Sequence, residues 1–147
     1  MNWETDDCPL CNLDLEKTRE LFNNRYTFII LSNPALVRGH CLVIPRRHVE
    51  RLDELYPDER DDLWFQVEKM YTKLLKIYDS GCDVRHNYRP FQRQTSLKVN
   101  HLHVHLQPRT NVDELYQKCQ IYEIDIFRRL CEEELDKLEE EILGGKR

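Results

Sequence analysis

His101-Leu102-His103-Val104-His105-Leu106-Gln107-Pro108-Arg109 places three histidines at strict two-residue spacing. In a β-strand successive side chains point to opposite faces, so the three imidazoles share one face and Leu102, Val104 and Leu106 the other. Half of the six histidines of this 147-residue chain fall within these five residues. The spacing predicts a strand over about residues 97–107 that stops at Pro108. His101 and His105 would stand roughly 13 Å apart along it, too far for both to bind one ion unaided. Three readings stay open: a metal site using some of the three, a solvent-facing polar strand, or a row of groups with different tasks. Imidazole suits the work of ligand, nucleophile and hydrogen-bond donor near neutral pH.

Outward from this segment the elements are legible in order. Tyr26–Leu31 and Gly39–Pro45 read as two antiparallel strands rich in aromatic and β-branched residues, separated by the turn signal Asn33-Pro34. Between Pro57 and about Asp79, Leu63, Val67, Met70, Tyr71, Leu74 and Tyr78 follow helical spacing, with Pro57 in the first turn and Gly81 beyond the end. Cys82–Tyr88 reads as a third strand followed by a polar loop. Leu13–Phe22 reads as a short helical or irregular lead-in, and residues 111–143 as a mostly charged helical extension with a thin apolar stripe at Leu130, Leu135, Leu138 and Ile142. These elements predict one α+β domain over residues 1–147, with its core at about 8–110 and its strands in an antiparallel sheet.

Net charge is −5, which argues against nucleic acid as a partner. Arg85, Arg89, Arg93, Lys98 and Arg109 nevertheless surround the histidine strand and suit a small phosphate ester. The chain shows neither an apolar run of membrane-spanning length nor the features of an export signal, so no membrane partner and a cytoplasmic location are expected. Thiols are then expected free or metal-bound. Cys8-Pro-Leu-Cys11 supplies two soft ligands on one tight loop, the usual half of a tetrahedral zinc site, with His48 and His101 as candidates for the rest.

The segment 101–109 resembles the His-x-His-x-His motif of the histidine triad (HIT) superfamily. Gly39-His40-Cys-Leu-Val-Ile-Pro-Arg-Arg-His48 resembles that family's second block, and Cys8-x-x-Cys11 the start of its zinc-bearing members. The resemblance covers about residues 8–110. It implies a five-stranded antiparallel sheet with one long helix, the C-terminal helix being an addition, and a homodimer formed through the long helix. It implies that His103 attacks an α-phosphorus and is transiently nucleotidylated, while His105 and His40 flank the phosphate and help the leaving group depart. Cys8, Cys11, His48 and His101 would hold a structural zinc. Implied substrates are purine nucleotide derivatives, either nucleoside phosphoramidates or dinucleoside polyphosphates; a slow nucleotide-binding or adaptor module is the alternative, with a protein partner for the C-terminal helix.

This chain departs from the family before the triad. A glycine-rich segment of phosphate donors is replaced by residues 87–100, which hold no glycine. Asn87 then corresponds to the family's asparagine, Ser96 or Lys98 to the missing donor, and Ser32 or Asn33 to an acidic residue that holds the ribose. Gln107 stands where an apolar residue is usual.

Overall fold

The computed structural model describes residues 7–144. Five strands form one antiparallel sheet: β1 (Glu20–Asn23), β2 (Thr27–Leu31), β3 (Cys41–Pro45), β4 (Gly81–Arg85) and β5 (Val104–Arg109), in the spatial order β1-β2-β3-β5-β4. The long helix α1 (Pro57–Tyr78) crosses one face, followed after the sheet by α2 (Glu114–Lys118) and α3 (Glu132–Gly144). The α+β class and the five-stranded antiparallel sheet anticipated above are therefore present. No described helix is long and apolar enough to cross a membrane.

Alternation along each strand sorts the side chains into two layers. Ile29, Val43, Val104 and Leu106 face α1 and pack against its Leu63, Val67 and Leu74, the apolar stripe of that helix. On the opposite face Phe28, Ile30 and Ile44 pack under Cys8 and Leu10, so the N-terminal loop forms a lid over that layer. Pro57 starts α1 at a position where its missing N–H costs nothing. The helix ends as Asp79 turns left-handed at φ 46°. At the helix start the buried Glu59 carboxylate accepts from Arg47 Nη2 at 2.8 Å and from the Tyr56 amide at 2.9 Å, which ties the turn carrying His48 to α1.

Four elements differ from their expected form. β1 replaces the end of the expected helical or irregular lead-in: Glu20-Leu21-Phe22-Asn23 has little apolar patterning because it is a short, exposed edge strand with a register irregularity against β2. β4 stops at Arg85 rather than reaching Tyr88. β5 begins at Val104, because residues 97–103 bend away to bring His101 to the cysteines, and it runs on through Pro108. Pro108 is tolerated because β3 pairs only as far as Leu106, leaving β4 as its one neighbour there. The C-terminal extension is not one helix: α2 ends at Lys118, a 3-10 turn spans Gln120–Asp125, and residues 127–131 carry no regular structure before α3.

Candidate functional site

The face of the sheet opposite α1 carries the candidate residues. Strand register sets Ile30, Leu42, His105 and Arg85 directly opposite one another across β2, β3, β5 and β4. Directly opposed residues share a face. A cleft of about 330 Å³ opens over the β2 and β3 part of this row, lined by Ile30, Leu42, Leu10 and Val99 together with His103 and His105. Ser32, Asn33 and Ser96 line the same cleft. Asn87 and Lys98 instead line a smaller hollow of about 120 Å³ next to His101, Asn100 and Glu50. Lys98 Nζ donates to the Gln92 carbonyl at 2.8 Å, and Asn87 Oδ1 accepts from Arg89 at 3.5 Å.

Hydrogen bonds assign a tautomer to each catalytic candidate. The Leu36 amide donates to His40 Nδ1 at 3.2 Å, so that nitrogen is an acceptor and the ring proton sits on Nε2. His40 Nε2–H then donates to His105 Nδ1 at 2.8 Å, which places the His105 proton on its own Nε2. His103 is fixed the other way. Its Nδ1–H donates to the His101 carbonyl at 2.6 Å, leaving Nε2 with a free lone pair. The His103 and His105 rings meet edge to face with centroids 4.8 Å apart. One imidazole thus offers a lone pair beside another that offers an N–H.

Burial keeps these rings neutral. His40 is pushed down to about 4, first by desolvation, then by the positive charge of Arg85 and by the charge that His103 would carry if protonated. His105 is pushed down to about 3, mainly by desolvation, with His103, His40, Arg85 and His86 adding repulsion. His103 is also lowered by desolvation, against the stabilising hydrogen bond to the His101 carbonyl. Gln107 is fully buried, with its Nε2 3.5 Å from His40 Nε2 and its Oε1 without a partner.

His101 turns out of this row. Its Nδ1 lies 3.4 Å from Cys8 Sγ and 3.5 Å from Cys11 Sγ, and His48 Nδ1 lies 3.3 Å from Cys11 Sγ. All four ligand atoms fall within 4.8 Å of one another. A tetrahedral zinc with its usual bond lengths needs sulfur and nitrogen ligands about 3.6 Å apart, so the cluster has the dimensions for the ion. His101 Nε2–H donates to the Pro45 carbonyl at 2.8 Å, which orients the ring and frees Nδ1 as ligand. Burial and the neighbouring Cys8 thiol push Cys11 up to about 12, the response of close thiols that a cation would reverse. The four candidate ligands are therefore together, although 93 residues separate Cys8 from His101 in sequence.

Arg85 and His86 stand beside the triad, and sequence reasoning did not single them out as site residues. Arg85 was visible only as one of several basic residues nearby, and His86 carried no spacing signal. Their place depends on the pairing of β4 with β5.

The profile of the HIT domain family matches residues 16–112. A bifunctional bis(5'-adenosyl)-triphosphatase/adenylylsulfatase of Arabidopsis thaliana is 33% identical over 108 residues, covering 69% of this chain and 57% of the plant protein. The crystal structure of SMU.412c from Streptococcus mutans superposes with a TM-score of 0.74 at 26% identity, covering 98% of this chain and 85% of that one. A zinc-bound histidine triad family protein from Mycobacterium smegmatis shares the fold with a TM-score of 0.59 at 24% identity, over 76% of this chain and 81% of its own.

Proposed function

Since the chain belongs to the HIT domain family, we propose that it transfers the nucleotidyl group of a nucleoside 5'-phosphate derivative to water through a covalent intermediate on His103. One observation carries this reading: the Nδ1–H of His103 is held by the His101 carbonyl, which leaves its Nε2 lone pair free, and His103 lines the same cleft as His105, whose proton sits on Nε2. The plant relative, whose name describes hydrolysis of a dinucleoside triphosphate, supports the substrate class.

In the first step the Nε2 lone pair forms a bond to the α-phosphorus. The bond from phosphorus to the leaving group breaks, and the leaving atom takes its electron pair. The positive charge that develops on the His103 ring is met by the His101 carbonyl that accepts its Nδ1–H. His105 Nε2–H donates to a phosphoryl oxygen, a fixed dipole where negative charge gathers. In the second step water attacks phosphorus, the N–P bond breaks, its electron pair returns to Nε2 and the water proton passes to solvent. Ile30, Leu42 and Val99 form the apolar wall against which the base would lie, with Ser32 and Asn33 within reach of the ribose.

Cys8, Cys11, His48 and His101 would hold zinc, which with four protein ligands has a structural role and no open position. The structural neighbour from Mycobacterium smegmatis is described as zinc-bound, which supports zinc as the ion.

The test is intact mass spectrometry of protein quenched during turnover of diadenosine triphosphate or an adenosine phosphoramidate. Wild type should gain one nucleoside monophosphate and His103→Ala should gain none while still binding nucleotide. Turnover by His103→Ala near the wild-type rate removes the mechanism.

A further inference from the structure

We infer that Arg85 is the anion-binding group for the part of the substrate that leaves, and that the site is therefore built for leaving groups that are themselves phosphates. This rests on the reading of the site given above.

The order of the strands supplies the first argument. Ile30, Leu42, His105 and Arg85 succeed one another across the sheet, with neighbouring strands about 5 Å apart. The apolar cleft occupies the β2–β3 end of this row, and the histidines stand at its middle. A substrate with its nucleoside in that cleft and its α-phosphorus at His103 has its remaining end over β4, where Arg85 projects from the same face.

The second argument is the state of the guanidinium. Arg85 is partly buried, and its Nε is buried without a hydrogen-bond partner. Among the described residues no carboxylate pairs with it. Asp83, two positions along β4 on the same face, is taken by Arg109 at 2.6 Å, and Arg109 is held again by Asp113 at 2.9 Å. A half-buried cation whose charge reaches the His40 and His105 rings is costly unless an anion joins it. Next to it, His86 Nδ1 is also buried and without a partner, a second polar nitrogen unsatisfied by the protein itself.

The third argument is chemical. An amine leaving from phosphorus needs a proton, whereas a phosphate leaves as a stable anion. His40 and His105 are kept neutral, partly by Arg85 itself, so neither is a ready acid. A permanently charged guanidinium stabilises a departing phosphate without any proton transfer. When the α-phosphorus bonds to His103 Nε2, the bridging oxygen keeps the electron pair of the broken P–O bond, and the resulting charge is met by Arg85.

The decisive measurement is calorimetric binding of AMP and ADP to wild type, Arg85→Gln and Arg85→Lys, joined to kcat/KM for diadenosine triphosphate and an adenosine phosphoramidate. ADP carries one phosphate beyond the reacting position and AMP none. Wild type should bind ADP about ten- to a hundredfold more tightly than AMP, the range of a charge-assisted hydrogen bond. Arg85→Gln should reduce that preference to about threefold or less, and Arg85→Lys should retain part of it. The kcat/KM ratio of triphosphate over phosphoramidate should fall at least tenfold in Arg85→Gln. An unchanged ADP preference in Arg85→Gln, or none in wild type, overturns the inference. So does an equal loss on both substrates, which would mean that Arg85 acts only through His105. If wild type turns over neither substrate, the covalent mechanism fails, and the binding ratio still decides the role of Arg85.

Discussion

Gly39 immediately precedes His40 and has φ +80°, a left-handed conformation. A Cβ there would lie 2.5 Å from Tyr78 Cε2 and 2.6 Å from Cζ, at the end of α1. Gly39→Ala therefore carries two costs. The left-handed backbone costs an L-residue about 1–2 kcal/mol. The Tyr78 ring must also move by about 1 Å to restore ordinary carbon contact. That ring packs against the cluster of Ile29, Val43 and Leu63, and such overpacking costs about 1–3 kcal/mol. The sum is about 2–5 kcal/mol, which lowers Tm by roughly 5–15 °C for a chain of this size. Urea unfolding of Gly39→Ala, Tyr78→Leu and the double variant separates the two parts, because the clash vanishes when the ring is absent. The alanine should cost only about 1–2 kcal/mol in the Tyr78→Leu background. A loss below about 1 kcal/mol in the single variant, or the same loss in both backgrounds, would refute this account of the turn.

Three further outcomes are expected. His40 at about 4 and His105 at about 3 lie below the ordinary imidazole value. The unfolded chain then binds protons more readily, so this contribution to stability is complete above about pH 6.5 and is lost as pH falls toward 4; the acid limb of kcat/KM should likewise lie below 6.5, and an inflection above 7 would contradict neutral rings. Elemental analysis should find about one zinc per chain, and Cys8→Ser or chelation should lower Tm; reduced, carefully prepared protein that is metal-free and equally stable would remove the zinc assignment. Gln107→Leu removes a buried amide oxygen that has no partner, and chemical denaturation should show it neutral or stabilising by about 1 kcal/mol. A loss above about 2 kcal/mol would show that the amide holds His40 in place.

Periodicity carried the sequence a long way where one rule governed a whole element. α1 ends at Tyr78, one residue short of the approximate boundary at Asp79, because Pro57, the apolar spacing and Gly81 all mark the same helix. The histidine spacing marks a row of candidate groups but does not by itself divide it. The division, with His101 joining Cys8, Cys11 and His48, comes from the Cys-x-x-Cys loop and the family resemblance. The structure brings these four together across 93 positions of chain, with His101 lying before β5 begins. β1 escaped because an exposed edge strand needs no alternation. Arg85 was legible only as one of several basic residues near the histidines, because its place opposite His105 arises from β4 pairing with β5.

The direction of the proton chain through His40 and His105 begins at a main-chain amide, that of Leu36. Every amino acid but one presents that group, so a catalogue of side-chain replacements would score position 36 as indifferent to the chemistry. Only proline withdraws the donor. His40 could then carry its proton on Nδ1 and offer a bare Nε2 to His105, reversing the order of both rings with no histidine altered. Alanine scanning is blind to such a determinant, which is inherited through the shape of the loop rather than through the identity of its residue.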